Sequence, residues 1–332
     1  MPSLSRIQTP ALGNSGAELG FRNRIINGNF DVWQRATTGS GSGYFFVADR
    51  WLSYGYGGAN TTFSQQAFTI GQTAVPNNPK YFARMVCTNT RPYLEQRLEG
   101  LGAYSGQQLT VSLWVKSPDI TAPLTYAFYS YFGTSGSAPV SSGDIATGVS
   151  LSNTWQKVVF TYTVPSMTGK TIAGGNDYLG IDFAPASGIV GTLDVAQVQV
   201  EFGPSASPFD YRPYGTELAL CQRYYYKVGP TGTDGFTQLA FANITSTTNH
   251  VAFLPCPPMR AAATSIDYAN IGFVTQWGAG VTSISALTLQ RNNPNGATLS
   301  ATLSGALGSV GGVSIFLQNN NSGGYVALSA EL

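Results

Sequence analysis

From Phe21 to about Tyr214 the chain alternates apolar and polar residues in short runs, broken by clusters of Gly, Pro, Asn and Ser. This pattern predicts many short strands. Leu109, Val111, Leu113 and Val115 alternate with Thr110, Ser112, Trp114 and Lys116, so one face of that strand is expected to be buried. Val158, Phe160, Tyr162 and Val164 repeat the device against Val159, Thr161 and Thr163, until Pro165 removes a ladder donor. Leu193–Phe202 keeps a period of two while its apolar side changes part-way, from Leu193 and Val195 to Val198, Val200 and Phe202. With Tyr81–Cys87 and Tyr178–Phe183, these runs supply enough strands for two facing sheets.

Helical spacing occurs in one stretch, Gly215–Lys227, where Thr216 can cap, Glu217 sits in the first turn, and Leu218, Cys221, Gln222 and Tyr225 follow. Beyond Val228, weaker strands are expected at Gln238–Ile244, Asn249–Leu254, Ile284–Leu289, Val313–Gln318 and Gly324–Ser329. Few large residues back them, so contacts between copies, as a trimer, are expected to complete that domain. Pro2, Pro10, Gly13, Gly16 and Gly20 interrupt any regular element before Phe21. The predicted organisation is all-β: an arm over 1–20, a β-sandwich over 21–214, a helical linker over 215–228 and a smaller distal β domain over 229–332.

Composition narrows the function. Charged residues make up 10% of the 332 positions and balance to a formal +1, against roughly 25% charged in typical soluble domains. Without a Lys/Arg cluster to neutralise phosphates, nucleic-acid binding is not expected. Ser, Thr, Asn, Gln and Gly suit hydrogen bonding to neutral partners. Cys87, Cys221 and Cys256 are odd in number and far apart, against a disulfide framework, and the single His250 leaves no zinc-ligand spacing. Met1–Gly20 lacks the charged start and apolar run of a signal peptide, and no run reaches the length of a membrane span. A product assembled in the cytoplasm and released by lysis is expected.

Four stretches resemble bacteriophage tail-fibre and related virion proteins that carry a carbohydrate-binding-module-like jelly roll. Ile25-Ile26-Asn27-Gly28-Asn29-Phe30-Asp31-Val32-Trp33-Gln34-Arg35, followed by Ala48-Asp49-Arg50-Trp51, is similar to the opening of that jelly roll. Val111–Lys116 and Trp155–Tyr162 are similar to its sheets. Ser207–Gly215, running into Glu217–Tyr225, resembles its exit, and this is the most specific match. Leu254–Ala261 and the terminal Ala330-Glu331-Leu332 resemble the distal domain, although Cys256 stands where an apolar residue is expected. The resemblance covers about nine tenths of the chain. It implies a virion fibre or tail-tip subunit, held to other tail or baseplate proteins by the arm and contacting a host-surface glycan. A purely structural head fibre or connector fits the low charge equally, and a secreted bacterial glycan-binding accessory module comes next. Jelly rolls of this type often hold a structural calcium, for which Asp31, Asp49 and Asp194 are the candidates, with no ion as the alternative.

Catalysis is not expected. A glycosidase needs two facing carboxylates, and only Asp31 with Asp49, or Asp182 with Asp194, suggest themselves. Asp49 beside Arg50, and Asp31 near Arg35, read more simply as ion pairs fixing strand ends. His250 has no Gly-x-Ser-x-Gly elbow and reads as structural or interfacial. Gly39-Ser40-Gly41-Ser42-Gly43 lacks a following Lys-Thr and helix, so it is a turn rather than a phosphate cradle. Tyrosines are the binding candidates, because sugar rings stack on aromatic faces while their hydroxyls need polar neighbours. They fall in two groups: Tyr54 with Tyr56, and Tyr126, Tyr129 and Tyr131, of which the last two share a strand face. The same tyrosines also suit a half-buried sandwich wall.

Overall fold

A computed structural model describes residues 21–55, 60–89, 91–229, 238–275, 280–318 and 323–332. The predicted arm over 1–20 lies outside these. The described residues are almost wholly β, with one α-helix. In chain order the strands are β1 (Thr38–Gly41), β2 (Gly43–Phe46), β3 (Leu52–Gly55), β4 (Thr61–Ala67), β5 (Tyr81–Cys87), β6 (Leu94–Glu99), β7 (Gln108–Lys116) and β8 (Pro123–Tyr131). There follow β9 (Val140–Ser141), β10 (Ile145–Ser150), β11 (Gln156–Thr163), β12 (Tyr178–Pro185) and β13 (Gly191–Phe202). After helix α1 (Tyr214–Gln222) come β14 (Tyr225–Val228), β15 (Gln238–Ser246), β16 (Asn249–Pro255), β17 (Ser265–Ala269) and β18 (Ile271–Val274). The last four are β19 (Thr282–Asn293), β20 (Gly296–Leu303), β21 (Val313–Gln318) and β22 (Tyr325–Ser329).

The chain divides into two compact units, each discontinuous in sequence. The first joins Ala67–Tyr211 to the described residues before Phe30, and the second joins Phe30–Gln66 to Arg212–Leu332. In the first unit, antiparallel strands run β5-β13-β7-β11 in one sheet and β10-β8-β12-β6 in another, with β9 added to β8. Their inner faces form a sandwich core. Leu109, Val111, Leu113 and Val115 are fully buried, as the alternation predicts, beside Leu179, Ile181 and Phe183. Across the core, Tyr126 stacks on Phe160 at 3.7 Å and Phe128 on Tyr162 at 4.2 Å, so aromatic rings couple β8 to β11.

The change of face along β13 has a local cause. Its register against β7 shifts between Ala196 and Gln199, and Gln197 takes a positive φ of 46°. A bulge of this kind inserts an unpaired residue and turns the following side chains over. At the bulge, Val198 donates to the Gly28 carbonyl at 2.9 Å, and a Cβ at Gly28 would lie 2.2 Å from the Val198 oxygen. Backbone packs there directly on backbone, which only glycine permits.

In the second unit, β15-β16-β20-β19-β18-β21 close into a barrel, and β14-β22-β17 form a separate small sheet. The barrel core is built from Ala252, Leu254, Phe273, Leu299, Ala301 and Phe316 among others, with Phe273 stacked on Phe316 at 4.7 Å. All five strands expected beyond Val228 are present, with β21 spanning Val313–Gln318 as anticipated. Unanticipated are β17, β18 and β20. The helix is shorter than its spacing suggests: it starts after Pro213, which acts as N-cap in place of Thr216, and stops at Gln222. Tyr225–Val228 is drawn out as a strand by pairing with β22, from Tyr225 opposite Ser329 to Val228 opposite Val326. Among the described residues no helix is long and apolar enough to cross a membrane.

Candidate functional site: a tyrosine-lined sheet face

Strands β6, β12 and β8 of the first unit turn one face to the core. On the other face β12 is buried along its length, whereas Tyr129 and Glu99 are exposed and Arg97 and Tyr131 are exposed in part. On β12, Leu179, Ile181 and Phe183 point into the core, so Tyr178, Gly180 and Asp182 share the opposite face. Register then sets their neighbours. Tyr178 lies between Glu99 and Tyr131, Gly180 between Arg97 and Tyr129, and Asp182 between Glu95 and Ala127. Cross-strand neighbours of this kind interact directly.

Three rings gather there. Tyr131 lies 5.1 Å and Tyr129 6.3 Å from Tyr178, centroid to centroid, and the Arg97 guanidinium sits over the Tyr178 ring at 4.8 Å. Tyr129 is 36% exposed and Tyr131 half-buried, whereas Tyr178 is 8% exposed and forms the floor. A Cβ at Gly180 would touch Glu95 Oε1 at 3.4 Å and Tyr129 and Tyr178 at 3.5 Å, so the bare backbone keeps the strip between the rings low.

Beside the rings stand charged groups. Arg97 Nε donates to Glu95 Oε1 at 2.8 Å, and Tyr93 Oη donates to Asp182 Oδ2 at 2.7 Å. Arg91 pairs with Asp144, its Nη2 donating to Oδ1 at 3.1 Å. Glu95 and Asp182 are 6% and 7% exposed. Burial pushes the Asp182 carboxyl up to about 7, with Tyr93 and Arg91 opposing and Glu95 and Asp144 adding to the rise. The arrangement offers aromatic planes, hydroxyls and carboxyl oxygens on one surface, the combination that holds a sugar.

Tyr129 and Tyr131 therefore do share a face, but Tyr126 is separated from them: it points inward, 6% exposed, onto Phe160. Alternation along β8 requires this, since 126 differs in parity from 129 and 131. Tyr54 lies in the second unit, half-buried on β3 and stacked on Tyr44 at 4.2 Å. Tyr56 lies outside the described residues. Tyr178, Tyr93, Glu95 and Arg97 were missed, although Leu94-Glu95-Gln96-Arg97-Leu98 and Tyr178-Leu179-Gly180-Ile181-Asp182 each alternate with period two. Asp182 pairs across strands with Glu95, not with Asp194.

The three aspartates considered for calcium are occupied differently. Asp194 is fully buried and receives Arg84 Nε and Nη2 at 2.7 and 2.8 Å, with Lys116 Nζ at 3.7 Å. In the second unit, Asp49 accepts from Gln34 N, Gln34 Nε2 and Arg35 Nη1 at 3.2, 3.0 and 3.3 Å, and Asp31 is half-buried. Carboxylates already paired with arginine are poor donors to a hard cation, and no group of three or more ligating side chains occurs among the described residues. This donor set does not fit calcium. Arg35 also reaches Glu331 at 3.2 Å, and Arg50 pairs with Glu331 while stacking on Tyr224 at 3.5 Å. The ion pairs thus run Arg35 to Asp49 and Arg50 to Glu331. Burial pushes Asp49 up to about 6 despite Arg35.

His250 is fully buried, with Nδ1 2.8 Å from Ser314 Oγ and Nε2 3.1 Å from the Leu307 carbonyl. Both nitrogens are engaged, so the ring is structural.

No family model matches the chain, and no curated protein matches it. Among solved structures, a carbohydrate-binding module described as CBM4 is similar at 19% identity and TM-score 0.33, over 54% of this chain and 99% of that one. The enzymatically active domain of tailspike protein 4 from bacteriophage CBA120 aligns at 14% identity and TM-score 0.33, over 55% of this chain and 22% of that one. A CBM22-2 xylan-binding domain from Paenibacillus barcinonensis aligns at 10% identity and TM-score 0.33, over 50% of this chain and 99% of that one.

Proposed function

We propose that the chain is a bacteriophage fibre or tail-tip subunit that attaches to host-surface polysaccharide without cleaving it. The observation that carries the binding part is the Tyr129–Tyr131–Tyr178 face, with hydroxyl and carboxyl groups at its edge. The virion part rests on the sequence resemblance of the Ile25–Arg35 and Ser207–Tyr225 stretches. Attachment needs neither cofactor nor metal on this reading, and residues 1–20 join the subunit to other tail or baseplate proteins. The subunit is a trimer in the virion, contacting neither nucleic acid nor the membrane interior. Phe241, Phe253 and Val313, 64%, 53% and 57% exposed on barrel strands, supply apolar surface for association between copies. Several weak sites held together would then act as one strong one.

Replacing Tyr129 and Tyr131 by Ala in the full chain tests the site. Binding to the capsular or lipopolysaccharide glycans of a susceptible cell should fall at least about tenfold, as loss of two stacking rings implies, with the melting temperature nearly unchanged. Adsorption that survives the double substitution places the contact elsewhere. An assembled oligomer that binds no susceptible surface leaves the purely structural fibre or connector as the reading. Sedimentation giving a folded monomer at micromolar concentration removes the trimer.

A further inference from the structure

Every arginine on the tyrosine face is already committed to a carboxylate of the same face. Arg97 holds Glu95 and leans on Tyr178, and Arg91 holds Asp144 while donating to the Pro185 carbonyl at 3.4 Å. Asp182 stands opposite Glu95 on the adjoining strand; among the described residues it forms no ion pair and accepts from the Tyr93 hydroxyl. Glu95 and Asp182 are alike in another respect. Each has one oxygen held by the protein, Oε1 by Arg97 and Oδ2 by Tyr93, while the second oxygen has no hydrogen-bond partner among the described residues. Both side chains are more than nine-tenths buried. Neither second oxygen is fully enclosed, so each is reached by solvent, and a sugar hydroxyl lying along the rings can donate to it in place of water.

We propose that the Glu95–Asp182 pair makes this face selective for uncharged polysaccharide and excludes chains bearing carboxylate groups. The inference rests on the reading of the face as a glycan site. Two open carboxyl oxygens accept from neutral hydroxyls, whereas a uronate or sialate finds no free guanidinium and meets like charge. The groups facing Asp182 are Glu95 and Arg97 on β6, Tyr93 and Arg91 just before it, Asp144 before β10, and Tyr129 and Tyr131 on β8. Glu99 adds a further exposed carboxylate at the Tyr178 end. With Asp182 protonated, Arg91 and Arg97 offset Glu95 and Asp144, and Glu99 leaves the face with one negative charge. When Asp182 ionises, the face gains an uncompensated negative charge, so exclusion of anionic chains should tighten as pH rises through about 7.

The test is affinity electrophoresis of the full-length oligomer in gels containing one of five probes: dextran, galactomannan or hydroxyethyl cellulose as neutral polymers, alginate or hyaluronate as anionic ones. At pH 8.5 the wild-type chain should be retarded by at least one neutral polymer and by neither anionic one. The ratio of neutral to anionic affinity should shrink about fivefold to tenfold at pH 5.5. Asp182→Asn should hold that ratio at its low value across the whole range. Equal retardation by an anionic polymer at pH 8.5, or a ratio unmoved by pH in the wild type, overturns the proposal while leaving the glycan site standing. The wild-type pH comparison needs no substitution and so survives an Asp182→Asn chain that fails to fold. Retardation by none of the five removes the glycan site and this inference together.

Discussion

The two units differ in how far along the chain their longest-range ion pairs reach. On the sandwich face, Glu95 and Arg97 are two residues apart on the same side of one strand, and Arg91 and Asp144 are 53 apart. In the second unit, the buried cluster is assembled from the two ends of the chain, with Arg35 and Arg50 meeting Glu331 across 296 and 281 residues. The barrel strands of that unit are almost without charge, carrying only His250 and Arg291. Long-range pairs close a fold, and breaking them leaves buried charge behind.

The largest effect should follow from Glu331→Ala, which removes the carboxylate facing Arg50, 2% exposed, and one of the two carboxylates facing Arg35. Denaturant unfolding should show a loss of about 3–5 kcal/mol, the cost of removing one partner from a buried pair. A loss under about 1 kcal/mol would mean that the cluster is solvated and does not close the unit. His250→Ala should come next, at about 2–4 kcal/mol, since it opens a cavity beside Phe273 and leaves Ser314 and the Leu307 carbonyl without their partner.

Stability should respond to pH with opposite signs at these sites. Asp182 and Asp49 titrate at about 7 and 6 in the fold against 3.8 unfolded, so the folded state binds the extra proton between these values. Their contribution is fully present below about pH 4 and is lost as pH rises through 6 to 7. His250 is held below its ordinary 6.5 by burial, so its contribution is present above that value and lost as pH falls. Comparing the melting temperature of Asp182→Asn with wild type should show a difference that moves in the variant's favour, by a few degrees, between pH 4 and 8. A constant difference across that range would mean that Asp182 ionises normally. The smallest effect belongs to Asp144→Asn, whose carboxylate is 38% exposed in its pair with Arg91. A change below about 1 kcal/mol is expected, as for other exposed pairs, and a larger one by thermal or urea unfolding would show that this pair anchors the face.

Much of the strand pattern was legible because burial on one face of a sheet forces a period of two, as in Leu109–Val115 and Val158–Val164. Even the change of side along Leu193–Phe202 was visible before the bulge at Gln197 explained it. The same parity rule places Tyr129 with Tyr131 and sets Tyr126 apart. Strands such as β17 and β18 were not legible, because Ser265–Ala269 and Ile271–Val274 are short and acquire their conformation from pairing with β22 and β21.

The sequence by itself determined an all-β chain with weak net charge, its main strands and a pair of tyrosines on a shared face, since alternation and composition are local properties. Only the tertiary structure decided that Tyr178, Glu95 and Asp182 join those tyrosines, that Asp194 and Asp49 are taken by arginines, and that Glu331 meets Arg35 and Arg50. Register between strands and contacts across nearly three hundred residues depend on how the whole chain minimises buried, unpaired charge, and no window of sequence contains that sum.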